Sequence, residues 1–205
     1  RALFIPVATV LSGSINKSAI VNKYLRGVLS VFKFILLGCP SKIISVSVEG
    51  GRNFKKSYPL LSSRVYSIQN GVEVPEFYID NYHFEKNKGF VFCYSGSLDI
   101  NRKGIDLLLS ALHIIIFTHR VKNASLVLIG SGQDKDKIVK ISKELKIEQY
   151  VKFSGEVKDP ISKMMNYNAF VLPSRREGLP NALLEAMSIG IPCIASDCNT
   201  GPREI

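Results

Sequence analysis

The chain has 205 residues, 46% of them hydrophobic and 21% charged, and it carries a formal net charge of +10. This composition excludes a disordered or fibrous protein and suffices for one large or two small domains with ordinary cores. The positive charge favours anionic partners, such as phosphorylated ligands or an anionic membrane surface. Nucleic acid is disfavoured, because the lysines and arginines are scattered and no aromatic residues alternate with them in an RNA-binding pattern.

The N-terminal part of the chain shows isolated elements. Ala19 to Gly38 is its most apolar stretch, but Lys23, Arg26 and Lys33 interrupt it, so no transmembrane helix is predicted. The pattern is typical of a basic amphipathic helix that can lie on an anionic membrane surface. The alternative is an ordinary helix that packs on a sheet with its lysines in water.

The next elements lead to a predicted domain boundary. They are a strand from Lys42 to Ser47, a helix from Glu49 to Tyr58, and a strand from Arg64 to Gln69 that ends at the turn signal Asn70-Gly71. Residues 72–88 lack periodicity and are interpreted as a connector, which divides the chain into residues 1–88 and 89–205. Because the chain begins without methionine and stops directly after a strand and a loop, we expect it to be a piece of a longer protein.

Strands and helices alternate from Phe90 onward. Helices of this length between strands predict right-handed crossovers in a parallel sheet covered on both faces, an α/β fold. The predicted strands are Val91 to Ser97, Ala124 to Gly130, Tyr150 to Val157, Ala169 to Ser174 and Pro192 to Ser196. The predicted helices between them are Lys103 to His119, Asp134 to Leu145, Pro160 to Tyr167 and Pro180 to Gly190.

The last of these helices carries a carboxylate that needs a partner. Pro180 suits the first helical position, where its missing N–H costs nothing. Apolar residues cover most of the circumference, which predicts a buried helix with Asn181 and Glu185 on one narrow stripe. A buried carboxylate requires a cation or a hydrogen-bond donor. Either an arginine or a ligand supplies it, and the candidate arginines are Arg175, Arg176 and Arg203.

Three loops follow strand ends at one edge of the predicted second domain. Ligands of open parallel sheets bind at this edge, outside the carboxyl ends of the strands. Two glycine loops, a basic pair and a helix N-terminus together suit a nucleotide diphosphate, although each signal is weak alone. The loops contain Gly96-Ser97 with Arg102-Lys103-Gly104, then Gly130-Ser131-Gly132, and then Arg175 to Leu179.

The cysteines and histidines give no sign of a metal site. The histidines are not clustered with other ligand types, so we expect no metal and no cofactor. No C-x-x-C spacing occurs, and reduced thiols are the expected state of Cys39, Cys93, Cys193 and Cys198.

Several motifs in one order resemble a known family. They are YSGSLDINRKGIDLLLSAL, LVLIGSG, VKFSGEV, FVLPSRREGLPNALLEAMSIGIPCIASD and GPREI. Together they resemble the nucleotide-sugar-binding domain of GT-B-fold retaining glycosyltransferases of family 4, whose signature is the E-x7-E pair formed here by Glu177 and Glu185. The resemblance covers about residues 64–205. It implies a GT-B-type, Rossmann-like fold, with residues 1–88 as the tail and linker of an acceptor-side domain and 89–205 as a truncated donor domain.

The resemblance also implies roles for individual residues. Glu185 would hold the ribose hydroxyls of the nucleotide, and Glu177 would face the donor sugar near its reacting carbon. Lys103 would pair with the diphosphate and, with Glu177, act in catalysis. Further donor-binding roles fall on Gly96, Ser97, Arg102, Gly130, Gly132, Val157, Gly178, Leu179 and Asn181.

One position departs from the family pattern. Ser97 stands where the family often has an arginine that binds the diphosphate, and Arg102 is the candidate replacement. The family's first domain, most of which we expect to be missing from this chain, also contributes a glycine-rich loop and a catalytic histidine. We therefore expect the chain to be able to bind donor even if it transfers nothing by itself.

The predicted function is transfer of a sugar from a nucleoside diphosphate donor, UDP-linked in our interpretation, to a saccharide or lipid-linked acceptor with retention. The GPREI ending is similar to the subgroup that builds bacterial surface polysaccharides. The reduced thiols predict a cytoplasmic enzyme, and the basic stretch Ala19 to Gly38 predicts peripheral contact with the inner face of the membrane. The alternatives are a nucleotide-sugar epimerase and a non-catalytic anion-binding module.

Overall fold

The computed structural model describes residues 8–11, 42–74 and 89–205. The predicted basic helix Ala19 to Gly38, the connector from residue 75 onward, the predicted boundary near Lys88, and Cys39 lie outside these residues. The chain forms two compact units. The first comprises the chain up to Asn70 with Glu177–Leu179 and Asn199–Glu204, and the second comprises Gly71–Arg176, Pro180–Cys198 and Ile205.

The described part of the first unit contains a parallel sheet of three strands in the order β1-β2-β3. A helix, α1, follows β2 and begins where the Ser47 hydroxyl accepts a hydrogen bond from the Gly50 N–H at 3.0 Å. The hydrophobic core of this unit contains Ile43, Phe54, Leu61 and Val65. The elements are β1 (Ala8–Leu11), β2 (Lys42–Ser45), α1 (Val48–Ser57), a 3-10 helix (Pro59–Arg64) and β3 (Val65–Ser67). The strand β1 was not predicted from the sequence.

The second unit contains a five-stranded parallel sheet in the order β6-β5-β4-β7-β8. Its strands are β4 (Phe90–Ser95), β5 (Ala124–Ile129), β6 (Val151–Gly155), β7 (Ala169–Leu172) and β8 (Cys193–Ala195). Its helices are α2 (Ile100–Lys103), α3 (Ile105–His113) continued by a π-helical turn (Ile114–Thr118), α4 (Lys135–Glu144), α5 (Pro160–Met164) and α6 (Asn181–Ser188), with a 3-10 turn at Glu148–Tyr150. A further 3-10 helix, Pro202–Glu204, belongs to the first unit.

Helices cover both faces of this sheet, as the sequence predicts. Side chains alternate between faces along each strand. Tyr94, Leu126 and Leu128 therefore pack with α3 and α4 in one cluster. Cys93 and Val127 pack on the other face with α5 and α6.

Two helix predictions are wrong in detail. The predicted helix Lys103 to His119 is divided at Gly104, whose φ of 64° ends α2 and precedes α3. The predicted helix Pro180 to Gly190 begins at Asn181, because Pro180 has an extended ψ of 101° and is the N-cap, and it ends at Ser188. The five strands predicted in this unit exist, but each is shorter than predicted at its C-terminal end.

The strand order defines a switch point between β4 and β7. From β4 the chain adds β5 and β6 on one side, and then β7 and β8 on the other. In open parallel sheets a crevice forms where the strand order reverses, outside the carboxyl ends. A ligand-binding site is therefore expected at the loops that follow β4 and β7.

Candidate functional site

The glycine loops after β4 and β5 touch through their backbones. A Cβ on Gly130 would lie 2.0 Å from the Gly96 carbonyl oxygen, and both residues have positive φ, 129° and 148°. A Cβ on Gly132 would lie 2.5 Å from the Leu98 carbonyl oxygen. The structure thus brings Gly96, Gly130 and Gly132 together, and no side chain can be added at these points without moving the loops.

Arg102 extends its side chain to Ser97. The Arg102 guanidinium Nη2 donates to the Ser97 hydroxyl at 2.9 Å, and the Arg102 N–H donates to the Asp99 carboxylate at 3.0 Å. The Tyr94 hydroxyl fixes the same loop by donating to the Ser97 carbonyl at 2.8 Å. A cation therefore lies at the side chain of the residue where the family often has arginine.

The loops that follow β4 and β7 are joined next to Lys103, the last residue of α2. The Arg175 N–H donates to the Arg102 carbonyl at 2.9 Å. A Cβ on Gly104 would lie 2.2 Å from the Pro173 carbonyl oxygen. Because the two loops are in backbone contact, the position of Lys103 depends on the chain that leaves β7.

Arg175 is occupied by a structural ion pair. Its guanidinium donates to both Asp106 carboxylate oxygens at 2.6 and 2.7 Å, and to the Ile100 carbonyl at 2.8 Å. The hydrogen bonds from Arg175 lower the pKa of Asp106. Arg175 is therefore not the partner of Glu185, which removes one of the three arginines that the sequence left open.

Glu185 lies on α6 and is half-buried. Among the described residues, no cation or hydrogen-bond donor contacts its carboxylate, and desolvation by the surrounding protein raises its pKa. The prediction that α6 is buried nearly all round is wrong, because Met187 is 47% exposed and Asn181 is also exposed. The helix is open on one side, and Glu185 is a desolvated carboxylate without a protein partner in the described part of the chain.

The segment Glu177–Leu179 belongs to the first unit. Glu177 is 7% exposed, and its carbonyl accepts a hydrogen bond from the hydroxyl of Thr200, which is also buried. Leu179 is buried and Gly178 is half-buried. The backbone of this loop is therefore held inside the first unit.

The remaining predicted residue, Val157, is partly buried against the face covered by α5 and α6. Just before it, the Glu156 carboxylate accepts from the Ser131 hydroxyl at 3.3 Å, which connects the loops after β5 and β6.

Sequence reasoning missed Asp134, which supports the first glycine loop. Its side chain is 3% exposed, and its carboxylate accepts from the Ile100 N–H at 3.0 Å and from Lys137 at 2.9 Å. The hydrogen bond from Lys137, and after it the one from the Ile100 N–H, lowers the pKa of Asp134. An aspartate two residues after a Gly-Ser-Gly turn was the available signal, but the sequence did not reveal its contact with α2.

No group of three or more His, Cys, Asp or Glu suited to a metal ion occurs in the described ranges. Cys93, Cys193 and Cys198 are free thiols, and burial raises the pKa of Cys93 to about 12. None of the described helices is both long and apolar enough for a membrane span.

Comparisons with known proteins identify the family. Residues 79–205, more than half of the chain, match the family model described as glycosyl transferases group 1. The chain belongs to this family. It is 40% identical over 126 residues to the lipopolysaccharide 1,6-galactosyltransferase of Salmonella typhimurium, a match that covers 59% of this chain and 34% of that protein.

Solved structures of glycosyltransferases have the same fold. The lipopolysaccharide outer core galactosyltransferase WaaB, in its apo form, is 31% identical with a TM-score of 0.65, covering 81% of this chain and 46% of that one. Anabaena HepE in complex with UDP and glucose has a TM-score of 0.71 at 19% identity, which shows the fold alone, and covers 94% of this chain and 53% of that one. These matches confirm the α/β fold of GT-B type. The chain spans about a third to a half of the length of these relatives.

Proposed function

We propose that this chain binds the donor of a retaining, family 4 glycosyltransferase that moves a sugar from a UDP-sugar to a saccharide or lipid-linked acceptor. The observation that carries the proposal is the Glu185 carboxylate, desolvated and without a partner among the described residues, on the helix that follows β7. A ribose diol offers two hydroxyl donors to such a group. A hydrogen bond to a charged group contributes about 1.5–3 kcal/mol.

The diphosphate would bind to the loops after β4 and β5. Gly96, Gly130 and Gly132 let the two loops pack backbone against backbone, and we propose that the diphosphate binds along these loops. Ser97, Lys103 and the Arg102 guanidinium supply a hydroxyl and two cations, and the N-terminus of α6 at Asn181 adds the positive end of a helix dipole. Arg102 would thus replace the arginine that the family often has at the position of Ser97.

Glu177 and Lys103 would act in the transfer step. The Glu177 carboxylate would bind a donor-sugar hydroxyl and stabilise positive charge at the reacting carbon. Lys103 and Arg102 would stabilise the negative charge of the departing diphosphate. Gly178 and Leu179 would assist through their backbone, and Val157 would flank the base.

The proposal extends to the surroundings of the enzyme. We infer a role in bacterial surface polysaccharide biosynthesis, because one relative is named for lipopolysaccharide and the acceptor of such an enzyme is a saccharide. Residues 1–88 would belong to the acceptor side and 89–205 to the donor side, in the cytoplasm beside the membrane. Sedimentation with anionic liposomes at low salt tests the membrane contact, and a chain that stays in the supernatant contradicts it.

Calorimetric titration of the 205-residue chain with UDP, GDP and ADP tests the donor site. We expect UDP to bind most tightly and to keep its preference when the salt concentration is raised from 50 to 200 mM, conditions that weaken purely electrostatic binding steeply. Equal affinities that collapse together with salt would indicate an anion-binding module instead. Conversion of UDP-glucose to UDP-galactose without any acceptor would indicate an epimerase.

A further inference from the structure

Glu204 caps the N-terminus of α1, a helix of the first unit. The Glu204 carboxylate accepts from the Val48 N–H at 2.5 Å and from the Glu49 N–H at 3.1 Å. These are the first two residues of α1, and Ser47 already accepts from the N–H of the third. A negative charge at a helix N-terminus is stabilised by the free N–H groups and the helix dipole. Glu204 therefore attaches the segment Asn199–Glu204 to a rigid element far away in sequence.

The other end of this segment holds the loop that contains Glu177. The Thr200 hydroxyl donates to the Glu177 carbonyl, and Thr200 and Glu177 are 4% and 7% exposed. Between Thr200 and Glu204 the chain makes a tight turn, in which Gly201 has a φ of 89° and the Glu204 N–H donates to the Gly201 carbonyl at 2.8 Å. We call residues 199–204 the strap, since they connect the N-terminus of α1 to the Glu177 loop within one unit.

We propose that Glu204 is a positioning residue for Glu177. Its carboxylate accepts from the Val48 and Glu49 N–H groups and, at 3.5 Å, from the Gln69 amide, and these bonds hold the strap. The strap in turn holds the Glu177 backbone through Thr200. The functional half of this inference rests on the proposed role of Glu177 toward the donor sugar. Loss of the Glu204 carboxylate leaves Ser47 as a cap for α1 but removes the attachment of the strap to that helix, so we expect the Glu177 loop to become more mobile.

Backbone NMR order parameters of the 205-residue chain test the strap without any ligand. In Glu204→Ala we expect the order parameters of Glu177, Gly178 and Leu179 to fall from about 0.85, typical of rigid backbone, to below about 0.6. Ser47→Ala is the matched control, because it removes a cap from the same helix and leaves the strap in place. Unchanged order at Glu177 in Glu204→Ala, or an equal fall in Ser47→Ala, would overturn the inference.

Titration with UDP and UDP-glucose tests the functional half. We expect Glu204→Ala to bind UDP within about twofold of the wild type. Its affinity for UDP-glucose relative to that for UDP should fall at least about fivefold, as expected for the loss of roughly one hydrogen bond. Glu204→Gln keeps one acceptor oxygen and should restore part of that affinity. If the loop becomes mobile and the glucose contribution stays the same, Glu204 does not position Glu177 for the sugar. If the wild type binds no UDP, the proposed function fails, while the order parameters still decide whether the strap exists.

Discussion

Replacement of Glu185 with glutamine is expected to weaken UDP binding about tenfold to a hundredfold, the loss of about 1.5–3 kcal/mol for a hydrogen bond to a charged group. The same change should leave the chain equally or more stable at neutral pH. The two effects have opposite signs because the carboxylate is desolvated and, among the described residues, unpaired, so its charge opposes folding unless a ligand binds it. Calorimetry with UDP and thermal unfolding without it measure both effects.

The pH dependence of stability follows from the direction of the Glu185 pKa shift. Burial raises the pKa of Glu185 in the folded chain. Between the ordinary pKa and the raised one, the folded state therefore holds more protons than the unfolded state. Stability must then fall as the pH rises from the ordinary glutamate range, about 4.3, through the raised pKa. Glu185→Gln should lack this decline, and its advantage over the wild type should appear as the pH rises above the ordinary glutamate range.

An exposed glutamate provides the control for the change of charge. Glu144, on α4, is 61% exposed at its side chain and lies 3.9 Å from Lys140. Glu144→Gln changes the net charge by the same amount and should leave UDP affinity and its pH dependence as in the wild type. If Glu185→Gln binds UDP as tightly as the wild type, Glu185 does not hold the nucleotide.

Substitution of Gly104 by alanine is expected to cost about 2–5 kcal/mol of unfolding free energy. Part of this is the left-handed backbone, since the Gly104 φ is 64° and a side chain there costs about 1–2 kcal/mol. The rest is a collision, because the added Cβ would lie 2.2 Å from the Pro173 carbonyl, and relief of such overpacking costs about 1–3 kcal/mol. Urea unfolding measures the loss. Nucleotide affinity should fall as well, since Gly104 lies between Lys103 and the loop after β7.

Gly190 provides a control that separates the cost of the left-handed backbone from the cost of the collision. Its φ is 72°, close to that of Gly104, but a Cβ there would meet nothing within 4 Å. Gly190→Ala should therefore cost only about 1–2 kcal/mol, the left-handed penalty alone, and should leave nucleotide binding unchanged. Equal losses in the two variants would mean that the contact between the loops after β4 and β7 contributes nothing to stability.

The sequence predicted those parts of the fold that depend on local patterns. Each apolar run bounded by turn residues, such as Ala124–Ile129, is a strand, and the alternation of strands with helices predicted a parallel sheet. The break at Gly104 was missed because the apolar pattern continues across it. Only the approach of the Pro173 carbonyl, from a distant part of the chain, explains why glycine is needed there.

The candidate site was predictable in part for the same reason. Glycine turns and the E-x7-E spacing are local, so Gly96, Gly130, Glu177 and Glu185 could be named from sequence. Which charges pair could not be, because Arg175 contacts Asp106, 69 positions away, and Glu204 contacts Val48, 156 positions away. The open side of α6 was missed because periodicity gives the polarity of each side of a helix and not what covers it.

A crystal structure of the chain grown with saturating UDP shows directly whether Glu185 holds the nucleotide. We expect both ribose hydroxyls to donate to the Glu185 carboxylate at about 2.5–3.0 Å, the ordinary range for such bonds, with the diphosphate beside Lys103 and Arg102. A nucleotide bound with its ribose away from Glu185, or crystals that hold no UDP, would contradict it.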